Sequence, residues 1–173
     1  MGLLTMPRRL LERCNPDSIR EFRAAARHRY DDALVMACQG RRTGAIYLWG
    51  YTAEMIVKAA YFSFIGLPET HAVGWRTDLR PAIERGRALQ INWPPQGEGH
   101  NVRAWAELLV NVRAHSPTTS FAPSFALEIQ SRGQRIEHQW RETLRYRKNY
   151  AYLFEMRYVR EAAEWFLVNS TAL

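Results

Sequence analysis

The apolar residues of the chain recur with the period of an α-helix, most clearly from Gly44 to Leu67. Within this stretch they are spaced three or four residues apart and form one helix face: Ile46, Gly50, Ala53, Val57, Ala60 and Phe64. Three further residues widen the stripe to more than half of the circumference: Trp49, Ile56 and Tyr61. A helix that is apolar on most sides lies in the centre of a bundle or spans a membrane.

Two charged residues near the middle of this helix, Glu54 and Lys58, favour the bundle. Each charge would cost about 2.5–3.5 kcal/mol at the centre of a bilayer. In a bundle they can instead form an ion pair, since they lie four residues apart with glutamate first, which is the favourable order. The pattern therefore predicts a central bundle helix over residues 43–67 and no membrane association.

A second long helix is predicted immediately before it, over residues 15–40. Asn15 is a typical N-cap, and Pro16 suits the first helical position. Gly40 ends this helix, and Thr43 is predicted to cap the next one. Because the link is only a few residues long, we expect the two helices to be antiparallel neighbours.

Shorter helices separated by loops rich in proline and glycine are predicted for the rest of the chain, residues 68–173. They cover residues 79–89, 100–113, 124–142 and 154–169, while residues 1–14 form a basic N-terminal arm. No stretch alternates like a strand. At 173 residues the chain is the size of one domain. We therefore predict a single all-α domain, a helical bundle built on two long antiparallel helices with shorter helices packed across them.

Composition adds a net charge of +7, which favours an anionic partner such as nucleic acid. Cys14 and Cys38 lack metal-ligand spacing and are too few for a disulfide framework, which is typical of thiols in a reducing cytoplasm. No secretory signal is recognisable, so we expect a cytoplasmic protein. The histidines considered are scattered, so neither a metal site nor a cofactor is expected: His71, His100, His115 and His138. His100 is interpreted as a residue that positions the start of a helix.

The strongest candidate for a binding site is the stretch from Ile129 to Arg160, which holds eight Lys/Arg against three Asp/Glu. Aromatic residues are interleaved with these charges, and cations with flat rings suit single-stranded nucleic acid. The densest part is predicted to be a loop that supplies the candidate ligand-binding residues: Arg145, Tyr146, Arg147, Lys148 and Tyr150. The alternative is that the tyrosines pack in the core or an interface and the arginines form a solvated face.

Several segments resemble HEPN domains. Arg27–Ala33 and Ala45–Ala60 are similar to the first helix pair of that family, whose second helix carries the pattern Gly-Tyr-Ala-x-Glu-x-x-x-Lys-Ala. Gly99–Leu109 is similar to the family's His-Asp-Leu-x-x-Leu helix, and Leu144–Arg147 to its Arg-Tyr element. The residues that fill the second-helix pattern, around an extra Thr52, are Gly50, Tyr51, Ala53, Glu54, Lys58 and Ala59.

The resemblance implies a soluble helical bundle, often a homodimer, that accompanies nucleotidyltransferases or belongs to toxin–antitoxin pairs. Some HEPN proteins are metal-independent ribonucleases that use an arginine, then four to six intervening residues, then a histidine. Here Arg145 stands at the place of that arginine, but Tyr150 stands at the first place for the histidine. A tyrosine with a pKa near 10 shuttles protons poorly at neutral pH compared with an imidazole near 6.5. We therefore expect a protein that binds rather than cleaves.

A formal match to the ribonuclease motif occurs at Arg132 and His138, which are separated by five residues. Six positions along one helix rotate a side chain by about 240° net, so these two point apart. A shared site would need a dimer partner or a helix break at Gly133. The alternative is that both are solvated basic residues.

Three functions remain open from the sequence. The first is a module that binds RNA or a nucleotide through residues 145–150, with Glu54 and Lys58 either lining a cleft that faces Arg145 or only fixing helix register. The second is an active endoribonuclease built on Arg132 and His138 or across a dimer. The third is a protein-interaction subunit that docks a second copy, a nucleotidyltransferase-type protein or an antitoxin.

Overall fold

The computed structural model describes Cys14 and residues 17–94, 98–116 and 120–173. Within these residues the chain forms six α-helices: α1 (Ile19–Cys38), α2 (Arg42–Phe64), α3 (Arg80–Ala88), α4 (Val102–Ala114), α5 (Pro123–Gln139) and α6 (Leu153–Val168). The described part contains no strand beyond an isolated bridge between Ser18 and Ala72. The predicted all-α helical bundle is confirmed. Apart from Cys14, the predicted N-terminal arm lies outside the described residues, as do Asn15 and Pro16.

Helices α1 and α2 form the antiparallel pair that the pattern predicted. Their contacts run in opposite directions along the two helices: the ring of Tyr30 lies 6.2 Å from that of Trp49, while the hydroxyl of Thr52 donates to the carbonyl of Ala26. The described part of α1 begins at Ile19, where the Ser18 side chain accepts a hydrogen bond from the backbone of Glu21. Ser18 therefore has the N-cap role that Asn15 was expected to play.

The turn between α1 and α2 depends on Gly40, whose φ of +71° favours glycine. The following helix begins at Arg42, so Thr43 lies inside it and is not its N-cap. The prediction that Thr43 caps α2 was wrong, and its hydroxyl instead forms hydrogen bonds with a segment distant in sequence. Its hydroxyl accepts hydrogen bonds from the backbone N–H groups of Tyr150 and Ala151, at 2.9 and 3.0 Å.

Helix α2 is the centre of the bundle. Fifteen of its 23 residues are buried, and it packs against α1, α4 and α6. This placement confirms the bundle interpretation of its apolar surface. None of the described helices is long and apolar enough to cross a membrane.

Helix α5 ends at Gln139, three residues before its predicted end, because Trp140 takes an extended conformation with φ −123° and ψ 138°. The buried indole of Trp140 lies against Gly50 of α2, and its Nε1–H donates to the carbonyl of Tyr47 at 2.9 Å. A short 3-10 turn, Glu142–Tyr146, and an irregular stretch then lead to α6. The predicted loop before the last helix is thus mostly confirmed.

The remaining boundaries differ from prediction by a few residues. A turn of π-helix, Trp75–Leu79, precedes α3, and a 3-10 turn, Glu98–His100, precedes α4. Asn101 follows that second turn and caps α4, since its side chain accepts a hydrogen bond from the backbone of Ala104 at 2.7 Å. His100 therefore lies just outside α4 rather than at its first position.

The contact between Gly50 and Trp140 leads to a first prediction. A Cβ atom at residue 50 would lie 2.1 Å from the indole, so Gly50→Ala should lower the free energy of unfolding by about 1–3 kcal/mol. The loss is expected although alanine forms helix better than glycine by about 1 kcal/mol. Urea denaturation measures it.

Gly44→Ala is the matched control in the same helix. A Cβ atom at residue 44 meets only the flexible end of Met36, at 2.9 Å, so this variant should be close to neutral or more stable than the wild type. A Gly50→Ala protein as stable as Gly44→Ala would contradict the proposed close contact.

Candidate functional site

The basic aromatic segment, Arg145–Tyr150, is fastened to the start of α2 through Asn149 and Thr43. The Asn149 side chain accepts from the backbone N–H of Thr43 at 3.0 Å and donates to the carbonyl of Gly40 at 2.9 Å. Together with the two bonds that the Thr43 hydroxyl accepts, these contacts hold an irregular segment in one place.

The side chains of the basic aromatic segment point to solvent. Tyr146 is 74% exposed and Tyr150 is 70% exposed, which argues against the alternative that these two tyrosines pack in the core. Arg145, Arg147 and Lys148 are exposed too, and none of them forms an ion pair with a described carboxylate. The guanidinium of Arg145 lies 4.8 Å from the centre of the Tyr146 ring. The segment thus presents aromatic faces beside uncompensated positive charge.

A row of half-buried aromatic rings extends from this segment along α2. The rings of Tyr47 and Tyr51 are 5.0 Å apart, and Tyr51 contacts the rings of both Trp140 and His100 edge-on. Burial, and then the neighbouring Tyr47, raise the pKa of Tyr51, while the charge of Arg145 acts in the opposite direction. Tyr51 is therefore neutral at physiological pH and lies within electrostatic range of Arg145.

Beyond Tyr51 lies the Glu54 cluster, which we define as Glu54, Lys58 and His100. Lys58 Nζ is 2.5 Å from Glu54 Oε1, and both side chains are almost fully buried, at 5% and 3% exposure. The two carboxylate oxygens of Glu54 lie 3.0 and 3.1 Å from His100 Nδ1. The ammonium of Lys58 also lies 5.4 Å from the centre of the Trp105 ring.

The Glu54 carboxylate is ionised at neutral pH. Burial by itself would raise its pKa, but the positive charge of Lys58 and the hydrogen bond from His100 outweigh burial and lower it. An ionised carboxylate has no proton to donate, so His100 must carry a hydrogen on Nδ1 and donate it to Glu54. The cluster thereby fixes both the orientation and the tautomer of the imidazole.

His100 lines two surface grooves. The first, of about 340 Å³, we call the Arg141 groove, and its polar lining is His100, Asn101, Glu137, Arg141, Glu142 and Thr143. The second, of about 580 Å³, runs between α1 and α2 and also reaches Tyr51, Glu54 and Lys58. The Arg141 groove joins the Glu54 cluster to the 3-10 turn that carries Arg145.

The structure brings only some of the candidate residues together. Tyr51 is close to both Glu54 and Arg145, whose charges act on its hydroxyl in opposite directions. Tyr150 lies instead beside Thr43 and Arg147 and lines a separate cavity of about 210 Å³. The candidate residues therefore form two neighbouring surfaces rather than one cleft.

Arg132 and His138 lie on one continuous helix, α5. Their spacing of six residues therefore directs the two side chains away from each other, as predicted. The helix has no break at Gly133, whose buried backbone packs tightly against α4. A Cβ atom added at Gly133 would lie 2.9 Å from the Cβ atom of Ala106. Arg132 pairs with Glu128 at 2.9 Å, and His138 is exposed. Within one chain these residues share no site, and a site shared between two copies stays a prediction.

Some residues of the site were missed by sequence reasoning. His100 is 46 positions from Glu54, and nothing local in the sequence connects the two. A signal did exist for the row on α2: Tyr47, Tyr51, Glu54 and Lys58 are spaced four, three and four residues apart and therefore share one helix face. The apolar stripe of α2 is the more prominent pattern, and this second face was not predicted from the sequence.

Comparisons of the chain with protein-family models, curated proteins and solved structures give no match. The resemblance to HEPN domains therefore stays a prediction. Among the described residues, no group of three or more His, Cys, Asp or Glu side chains is placed to hold a metal ion.

The buried pair leads to a second prediction. Lys58→Met removes the ammonium and leaves the Glu54 carboxylate buried with only His100, so the free energy of unfolding at pH 7 should fall by about 3–5 kcal/mol. Glu54→Leu combined with Lys58→Met removes both charges and should recover most of that loss. Equilibrium denaturation of both variants measures the effect.

The pH dependence of these stabilities gives the internal control. Because the pKa of Glu54 is lowered on folding, the stabilisation is complete above its ordinary pKa of 4.5 and is lost as the pH falls through the folded-state pKa. The difference between wild type and Lys58→Met should therefore shrink in acid. A double variant as unstable as the single one would contradict this account.

Proposed function

We propose that this protein is a binding module for single-stranded RNA or a nucleotide, centred on the basic aromatic segment. The observation that carries the proposal is the exposure of Tyr146 and Tyr150 beside three cations that no described carboxylate neutralises. Exposed rings stack on bases, and free cations contact phosphates. The net charge of +7 agrees with an anionic ligand.

The way the segment is held supports the same proposal. The backbone N–H groups of Tyr150 and Ala151 donate to the Thr43 hydroxyl, and the Asn149 side chain bonds to the backbone of Thr43. The tyrosine and its basic neighbours are therefore already in position before a ligand arrives. A surface that is ordered in advance loses less conformational entropy on binding. Tyr47 and Tyr51 lie next to Arg145 and would extend the surface towards the Arg141 groove.

The resemblance to HEPN domains fits a protein of this kind and adds expectations about partners. It favours a homodimer that works with a nucleotidyltransferase-type protein or an antitoxin, and the two thiols favour a cytoplasmic location. Since Tyr150 stands where the ribonuclease histidine would first be found, we propose that the protein acts by binding. Cleavage by a site built on Arg132 and His138 is the alternative.

The proposal predicts salt-dependent binding that requires the segment's cations. Arg145→Ala combined with Arg147→Ala should weaken the binding of a single-stranded RNA by about tenfold or more. It should also reduce the slope of log affinity against log salt by about 2, because two phosphate contacts are lost. Fluorescence anisotropy at several salt concentrations measures both quantities.

Arg27→Ala combined with Arg76→Ala is the matched control, because it removes two exposed charges from other surfaces. This variant should keep nearly the wild-type affinity. If both double variants lost the same affinity for RNA, the binding would be non-specific charge attraction and the proposed site would be wrong. RNA recovered from the same samples in EDTA should be intact, and cleavage that disappears in His138→Ala would favour the ribonuclease instead.

A second candidate function, association with another copy of the chain, is favoured by an apolar patch at the start of α6. Four large side chains there are between 43% and 65% exposed, which is unusual for isolated monomers: Tyr152, Leu153, Phe154 and Tyr158. The rings of Tyr152 and Phe154 are nearly parallel, 5.8 Å apart, and so form a flat surface.

If this patch is a dimer interface, Phe154→Ser combined with Tyr158→Ser should convert a dimer into a monomer without loss of helix content. Light scattering after size-exclusion chromatography measures the mass. Val168→Ser, at the other end of the same helix and 74% exposed in the wild type, should leave the mass unchanged. A wild-type protein that is monomeric at every concentration would remove this candidate.

A further inference from the structure

His100 is held in a way that the proposed function does not use. In the tautomer whose Nδ1–H donates to the ionised Glu54 carboxylate, the lone pair of the imidazole lies on Nε2. None of the described residues forms a hydrogen bond with Nε2, and the side chain is 39% exposed. An acceptor nitrogen of fixed orientation is therefore open to the surface.

The neighbours of His100 hold the imidazole in place. Lys58 compensates the charge of Glu54 at 2.5 Å, and the edge of the Tyr51 ring packs against the imidazole with 5.8 Å between centroids. These contacts involve buried or half-buried groups on α2. Burial of a Lys–Glu pair costs free energy. Here the buried pair orients an exposed imidazole, which is how proteins position a histidine that binds a ligand.

The position of His100 connects it to the proposed RNA surface. It lines the Arg141 groove together with Arg141 and Thr143, the residues that flank the start of the turn carrying Arg145. Tyr51 contacts His100 on one side and is within range of Arg145 on the other. A strand that runs from the basic aromatic segment into this groove would pass His100.

The polar residues of the Arg141 groove indicate which hydrogen-bond donor could bind His100 Nε2. Two carboxylates also line the groove: Glu137 accepts hydrogen bonds from Asn101 at 2.9 Å and from Arg103 at 2.6 Å, and Glu142 is a further acceptor. Arg141 lines the groove 3.8 Å from Glu137, and Arg145 lies on the 3-10 turn that Arg141 precedes, so both cations can contact a sugar–phosphate backbone that follows this turn. The hydrogen-bond donor that every ribonucleotide offers on that backbone, and that DNA lacks, is the ribose 2′-hydroxyl.

We propose that His100 Nε2 accepts a hydrogen bond from a ribose 2′-hydroxyl in the Arg141 groove and thereby makes the binding surface selective for RNA over DNA. This inference rests on the proposed function, because it assumes that a single strand binds along the basic aromatic segment. It assigns His100 the role of a specificity-determining residue and makes Glu54 and Lys58 its positioning residues.

The test compares three single strands of the same length and base on each protein: oligouridylate, its deoxyuridine counterpart and 2′-O-methyl oligouridylate. Wild-type protein should bind the ribose strand about fivefold to tenfold more tightly than either of the others, the size of one hydrogen bond between neutral groups. In His100→Leu the three affinities should become equal. His28→Leu, an exposed histidine on α1, is the matched control and should keep the preference.

Each affinity ratio is measured on one protein sample, so a partly unfolded variant lowers all three affinities and leaves the ratio intact. Equal wild-type affinities for ribose and deoxyribose strands would overturn the role of His100 and leave the proposed function standing. Absence of binding to every strand would overturn both. A 2′-O-methyl strand bound as tightly as RNA, or a preference that is lost in Glu142→Gln but kept in His100→Leu, would also overturn the inference.

Discussion

The packing of Trp140 against Gly50 connects the fold of this protein to its candidate site. The indole occupies the space where any other residue at position 50 would place its Cβ, and its Nε1–H bonds to the carbonyl of Tyr47 one turn earlier. The extended conformation of Trp140 ends α5 and turns the chain back towards the start of α2. The basic aromatic segment consequently lies over α2, where Thr43 and Asn149 hold it. The same indole packs against Tyr51, so it supports the aromatic row as well.

The burial of two opposite charges in the central helix is the second constraint. Removing a carboxylate and an ammonium from water is costly, and their attraction offsets that cost only where the geometry is good and other hydrogen bonds are made. Both conditions hold here, because Lys58 contacts Glu54 at 2.5 Å and His100 donates to the same carboxylate. A pair of apolar residues would fill the position with less difficulty. The ion pair also fixes the orientation of His100, which donates to the same carboxylate.

Some cations at the surface of the molecule are paired with carboxylates, and others are not. The cations of the basic aromatic segment have no described carboxylate partner, whereas Arg80, Arg103 and Arg132 pair with carboxylates along or between helices. An exposed ion pair such as Arg80–Glu84 contributes little to stability. The cations of this segment lie beside exposed tyrosines, so positive charge without a carboxylate partner and flat rings occur together on one surface.

The sequence by itself determined the all-α fold and the central antiparallel pair, because helical periodicity and a short link at Gly40 are local properties. It also determined that Glu54 and Lys58 would face each other, since a spacing of four residues places them on adjacent turns. It predicted the basic aromatic segment, because a dense run of cations and rings before the last helix is visible without a structure. Only the tertiary structure decided that Thr43 anchors residues 150 and 151 instead of capping α2, and that His100 joins Glu54. These contacts bring together residues more than 40 positions apart, and their geometry depends on how Trp140 and α4 pack on α2, which no local pattern specifies.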